Sequence, residues 1–170
     1  MWCVIQTLGG TEIRTADMIQ KLASPDCLAE CFVPKRERLK KFHGCWNKVE
    51  DVLFQGYIFA ASEKPEELYE ELKRIPGFTR ILGREEGWFS GLGEQEETFV
   101  RGIGDERHKT SISRITVEKG KKIRVVDGPL KDYEGAVVKV DLHRKEVTVK
   151  IEFLGRDLKL KMGIEMVDKK

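Results

Sequence analysis

The chain has 170 residues, of which 40% are hydrophobic and 35% charged, and its formal net charge is +2. This balance places it among globular proteins, long enough for one ordinary domain or two small ones. No apolar run approaches the roughly 20 residues that span a bilayer, and no charged leader precedes an apolar block, so the sequence reads as cytoplasmic, with no membrane association.

The charge is unevenly placed: residues 1–103 carry a slight excess of acids and residues 116–170 an excess of bases. Values this mild do not demand a nucleic-acid partner, since a solvated face explains them equally well. Cys3, Cys27, Cys31 and Cys45 all lie near the N-terminus. With His43 they could be drawn as a zinc site, but Cys27 and Cys31 stand four residues apart in what reads as a strand. That spacing separates them by roughly 13 Å, too far for one metal unless the chain bends. The expectation is therefore no metal and reduced, mostly buried thiols.

In chain order, Trp2 to Leu8 alternates as a strand and Gly9-Gly10 ends it. Thr11 caps a predicted helix with Glu12 in its first turn and with Ile13, Ala16, Ile19, Leu22 and Ala23 on one face; Ser24-Pro25 stops it. From Cys27 to Phe42 the chain reads as mostly extended and turns basic after Pro34. Lys35, Arg36, Arg38, Lys40 and Lys41, with Lys48 across a His43-Gly44 turn, stand against the single acid Glu37. A twisted ribbon of this kind suits phosphate backbones, with His43 and Trp46 able to stack on unpaired bases. A solubilising surface hairpin fits the same charges.

Val52 to Ala61, VLFQGYIFAA, is nearly all apolar, as for a central strand covered on both faces. Pro65 opens a second helix with Glu66 and Glu67 in its first turn and Leu68, Leu72 and Ile75 as its buried stripe. Pro76-Gly77 ends it. Phe78 to Leu82 reads as a strand, a Gly-rich turn surrounds Trp88, and a last helix starts near Glu94 with Phe99 and Ile103 inward. The order is that of an α+β sandwich over residues 1–103. Residues 104–115 lack apolar periodicity and read as a flexible linker whose cations Arg107, Lys109 and Arg114 could touch nucleic acid.

Residues 116–170 form the predicted second domain. Ile123, Val125 and Val126 make a short β run that Asp127-Gly128-Pro129 breaks, and Gly135 precedes a second run from Ala136 to Val140, where its missing side chain suggests a bulge or close backbone approach. Val147, Val149, Ile151 and Phe153, then Leu158, Leu160 and Met162, alternate as two half-buried strands about a turn from Leu154 to Asp157. Leu154 falls out of phase, on the polar side at the tip.

The stretch KGKKIRVVDGPLKDYEGAVVKVD resembles a KOW motif in its glycines, its proline and its flanking apolar positions. With WCVIQTLGGTE, LFQGYIFA and RIPGF in order before it, nearly the whole chain is similar to the NusG/Spt5 family of transcription elongation factors. The resemblance implies an N-terminal NusG-type α/β sandwich with an antiparallel sheet and a C-terminal five-stranded KOW β-barrel, acting as a monomer. It implies that Phe54 and Tyr57 contact the clamp helices of RNA polymerase, although Gln55 stands where the family usually has proline. It also implies that Phe153, Leu154 and Arg156 meet termination factor Rho or a small-subunit ribosomal protein.

Gln55 and the basic hairpin point to a specialised paralogue, similar to the LoaP antiterminators, which are recruited by a nascent RNA hairpin. On that reading Lys35, Arg36, Arg38, Lys40, Lys41, His43, Trp46 and Lys48 form the RNA surface, with Arg107 and Lys109 second. A KOW-type RNA-binding protein of the ribosome is the alternative, but it leaves the apolar strand at Phe54 to Phe59 without a role. None of His43, His108 and His143 sits in a nucleophile, metal or phosphate-loop pattern, and Gly91-Leu92-Gly93 lacks a strand-to-helix context, so neither an enzyme nor a cofactor is expected. The period-2 alternation of Val147 to Phe153 predicts β-structure for the C-terminal domain rather than the helical hairpin of the RfaH-like branch.

Overall fold

The computed structural model describes residues 1–82, 84–85, 88–89, 91–119 and 122–167. The chain divides into two compact units, Met1–Pro34 with Phe54–Phe99, and Lys35–Leu53 with Val100–Lys170.

The first unit is built on an antiparallel sheet of β1 (Trp2–Thr7), β2 (Glu30–Phe32), β5 (Tyr57–Ala61) and β6 (Phe78–Ile81), in the order β2-β5-β1-β6. Helix α2 (Pro65–Leu72) follows its predicted stripe, with Leu68 and Leu72 fully buried, whereas α1 (Glu12–Leu22) turns inward Thr15, Ala16 and Ile19: Ile13 and Leu22 of the expected stripe are exposed, and Thr11 makes no side-chain cap bond. The Thr15 hydroxyl of α1 meets that of Thr7 at 3.3 Å, which places α1 on the sheet face that carries Cys3, Ile5 and Thr7. The opposite face carries Trp2, Val4, Phe32, Tyr57 and Phe59, by the registers Val4 to Phe59, Gln6 to Tyr57 and Phe32 to Phe59.

Two sequence expectations change here. Cys27 lies in the turn after Pro25, not in a strand, and only Glu30–Phe32 of the extended stretch before Pro34 forms β2. The apolar run from Val52 is also not one strand. It breaks at residues 53–56, where the Tyr57 N–H returns to the Phe54 carbonyl at 3.2 Å, because Gly56 adopts φ +80° and turns the chain. Short strands β7 (Arg84–Glu85) and β8 (Trp88–Phe89) pair with each other, and the tip of the expected Gly-rich turn falls outside the described residues. Helix α3 (Glu94–Ile103) begins at the predicted position and buries Phe99 and Ile103.

The second unit contains a hairpin and a five-stranded sheet. In the hairpin, β3 (Lys35–Phe42) pairs antiparallel with β4 (Cys45–Val52) across His43-Gly44, both at positive φ. The expected linker carries structure: β9 (Lys109–Thr110) pairs in parallel with Lys35 and Arg36 of β3, and β10 begins at Ser113. The sheet runs β11-β10-β14-β13-β12, with β10 (Ser113–Val117), β11 (Ile123–Asp127), β12 (Val137–Asp141), β13 (Glu146–Phe153) and β14 (Arg156–Met166). Residues 146–166 are thus strand on both sides of one tight turn, as the alternation predicts.

The motif around Asp127-Gly128-Pro129 is not a two-stranded hairpin. Two short 3₁₀ turns, together η1 (Pro129–Ala136) with a kink at non-helical Tyr133 (φ −125°, ψ 20°), separate β11 from β12, and those strands lie at opposite ends of the sheet order. Gly128 is the residue this geometry requires: it has φ +108°, and a Cβ there would lie 2.7 Å from Ser113 Cα. The Ser113 hydroxyl accepts the Leu130 N–H at 3.0 Å and helps seat Leu130 in the core. Gly135, by contrast, faces open space at an ordinary φ, so neither a bulge nor a close approach is centred on it; the register shift lies between Val137 and Lys139. Among the described residues no helix is long and apolar enough to cross a membrane.

Candidate nucleic-acid and protein interfaces

Strand period 2 puts Arg36, Arg38 and Lys40 on one face of β3 and Leu39 and Lys41 on the other, and residues of both faces line the cleft against the C-terminal sheet. Arg36 Nη1 donates to Glu146 Oε2 of β13 at 3.1 Å, with both side chains about one-tenth exposed. A second guanidinium nitrogen of Arg36 lies 3.6 Å from Asp51 of β4, which also pairs closely with Arg38. The main chains of β3 and β14 approach so tightly that a Cβ on Gly163 would sit 2.9 Å from Arg38 Cα and against the Glu37 carbonyl. Two of the basic residues singled out in the sequence are therefore structural ion-pair partners.

The rest of the hairpin is different. Lys40, Lys41, His43, Trp46 and Lys48 are exposed, and Lys35 is half-buried. His43 packs edge-on against Phe42, with ring centroids 4.3 Å apart. Trp46 does not present two free faces for stacking, because Lys145 Nζ stands 4.4 Å from its ring centroid. Lys109 pairs with Glu50 at 3.4 Å, while exposed Arg107 sits in a turn whose Asp105 carboxylate accepts the Arg107 and Lys109 N–H groups at 2.8 and 3.0 Å. These backbone bonds hold the Asp105 carboxyl below its ordinary range.

A second basic element faces the hairpin from the sheet, and sequence inspection did not find it. The β12–β13 turn carries His143, Arg144 and Lys145, held by Asp141 Oδ1, which accepts the Arg144 N–H at 3.0 Å. That bond and the nearby cations depress the Asp141 carboxyl. Together with Lys161 of β14 and the hairpin, the turn encloses a cleft of about 600 Å³. Nothing in local sequence joins residues 36–46 to 143–161, and only the β3–β14 packing brings them together.

Phe54 is 2% exposed and lies edge-on to Phe59 at 5.1 Å, within an aromatic cluster that continues through Phe32 (5.6 Å from Phe59) and Trp2 (5.2 Å from Phe32). Tyr57 is half-buried on the same sheet face. The loop is tied down from the helix side: Glu12, itself buried, accepts the Gly10 and Gly56 N–H groups at 2.6 and 3.1 Å, and the Thr7 N–H donates to the Gly56 carbonyl at 2.8 Å. Of the two predicted contact aromatics, Phe54 is part of the core and Tyr57 reaches the surface.

At the other end, Phe153 and Arg156 pair across a two-residue turn, Leu154-Gly155, with φ +52° and +74°. Hairpin turns of this hand favour Asn or Asp at the first position, so a leucine there carries a local backbone cost of about 1–2 kcal/mol. Phe153 is buried, Leu154 half-buried and Arg156 exposed. Cys3, Cys27 and Cys31 are buried and Cys45 is exposed; burial pushes the Cys3 and Cys31 thiols up to about 12. Among the described residues no group of three or more His, Cys, Asp or Glu is placed to hold a metal.

Residues 1–99 match the family described as "Transcription termination factor nusG", and residues 119–152 match the KOW motif. The chain is 27% identical to the transcription termination/antitermination protein NusG of Buchnera aphidicola, over 99% of this chain and 95% of that protein, and 22% identical to that of Bacillus subtilis, over 99% and 97%. A solved structure, "Domain interaction in Thermotoga maritima NusG", shares the fold at 17% identity with a TM-score of 0.57, covering 95% of this chain and 92% of that one. The match over residues 1–99, followed in order by a KOW motif on the five-stranded sheet, shows that the chain belongs to the NusG family.

Proposed function

We propose that this protein is a cytoplasmic, monomeric and non-enzymatic elongation factor that binds RNA polymerase and suppresses pausing and termination, as a specialised paralogue of the LoaP type. Residues 1–103 dock on the polymerase clamp helices, residues 116–170 recruit a further partner, and the hairpin engages a nascent leader RNA hairpin. The observation that carries the RNA part is the exposed set Lys40, Lys41 and Lys48, none of which has an ion-pair partner among the described residues. Lys35 and Arg107 add charge at the hairpin base.

The polymerase surface in this reading is the sheet end around Tyr57, with Tyr57 as the reaching contact and buried Phe54 as its support. The Leu154-Gly155 tip, where exposed Arg156 follows half-buried Leu154 at positive φ, is the contact for Rho or a small-subunit ribosomal protein in this reading. The ribosomal alternative leaves residues 1–99, and their family match, without a role. Co-purification of the intact protein with core RNA polymerase tests the assignment. Sedimentation only with ribosomal subunits would overturn it.

A further inference from the structure

The cleft between the hairpin and the C-terminal sheet has two walls with unspent positive charge. After Arg36 is matched by Glu146, and Arg38 by Asp51, four cations lining the cleft have no ion-pair partner among the described residues. Lys40 and Lys41 come from β3; Arg144 comes from the β12–β13 turn and Lys161 from β14. All four are exposed. The acid in the cleft, Glu146, is consumed by Arg36.

The walls are fixed relative to each other inside this unit. Besides the Arg36–Glu146 pair and the close approach at Gly163, Lys145 reaches across to cover the Trp46 ring at 4.4 Å. Asp141 holds the turn that presents Arg144. A channel with like charge on both walls focuses its field on a polyanion running between them.

We propose that this cleft is a composite RNA site in which the phosphate backbone of a folded RNA is held from both sides, by Lys40 and Lys41 of the hairpin and by Arg144 and Lys161 of the C-terminal sheet. The inference rests on the RNA-binding reading of the hairpin and adds to it a second wall from the KOW half of the chain. Arg144 and Lys161 are phosphate ligands of the same site, and Lys145 is a positioning residue that holds the turn against Trp46.

The test uses the full chain and, as probe, a fully paired RNA stem-loop of mixed sequence, with affinity measured across a series of salt concentrations. Lys40→Gln with Lys41→Gln and, separately, Arg144→Gln with Lys161→Gln should each weaken binding about tenfold or more and lower the salt slope by roughly one per lost contact. Arg144→Lys with Lys161→Arg should retain binding. Thermal melting unchanged in all variants separates loss of contacts from loss of fold. If only the hairpin pair matters, the hairpin reading stands and the composite cleft is overturned. If only the sheet pair matters, the two-walled site is again overturned. If neither pair changes affinity or slope, both readings fail.

Discussion

Arg36 and Glu146, 110 positions apart in sequence, form an ion pair at 3.1 Å with both side chains nearly out of water, and it joins the basic hairpin to the first residue of β13. Removing one partner leaves a buried charge, whereas replacing both removes the desolvation cost as well. Glu146→Leu should destabilise the second unit by about 3 kcal/mol, moderated by the Asp51 carboxylate beside Arg36. Arg36→Met together with Glu146→Leu should recover most of the loss. Urea unfolding of the three variants checks this through a double-mutant cycle.

Phe54 and Tyr57 should separate in their effects. Phe54 is a core side chain, so Phe54→Ala should cost about 3–5 kcal/mol and weaken polymerase binding as a consequence of damaged structure. Tyr57→Ala should leave melting nearly unchanged while lowering affinity for core polymerase. Melting curves and a pull-down on both variants distinguish the two; equal destabilisation would contradict the placement of Tyr57 at the surface.

Of the four thiols, Cys45 is the exposed one, at the first position of β4. Cys3 and Cys31 are both buried and pushed up to about 12, which leaves almost no thiolate at neutral pH. Native protein should react with a maleimide at Cys45 first, and the other thiols should react on the timescale of unfolding. Mass spectrometry of the labelled peptides reads the order.

The Asp141 carboxyl is depressed mainly because it accepts the Arg144 N–H. A group whose folded pKa lies below its unfolded value stabilises the fold above the ordinary carboxylate range and loses that contribution as pH falls through the depressed value. The β12–β13 turn should therefore remain ordered at mildly acidic pH and loosen only below the usual titration range of about 3.9 for aspartate. Asp141→Ala should show the loosened turn already at neutral pH. Amide shifts of His143 to Lys145 report both.

Much of the fold was legible because local chemistry dictated it. Pro65 with its acidic first turn fixed α2, and the alternation from Val147 to Met162 fixed β13 and β14. Two local breaks were not legible. Gly56 ended the apolar run because its φ, not its hydrophobicity, decides the turn, and η1 replaced a tight turn because Pro129 follows a glycine packed on Ser113. The site was half legible. A run of cations is visible in sequence, but which of them are already paired depends on Asp51 and Glu146 across strands, so Arg36 and Arg38 could not be told from Lys40 and Lys41. The opposite wall, Arg144 and Lys161, became visible only through the packing at Gly163.

Antitermination directed by RNA is read out by terminator read-through with purified polymerase on templates with and without the native leader. The protein should raise read-through on the leader-bearing template, and Lys40→Gln with Lys41→Gln should abolish the leader-dependent part. Read-through that is unaffected by the protein, or identical on both templates, would contradict RNA-directed antitermination.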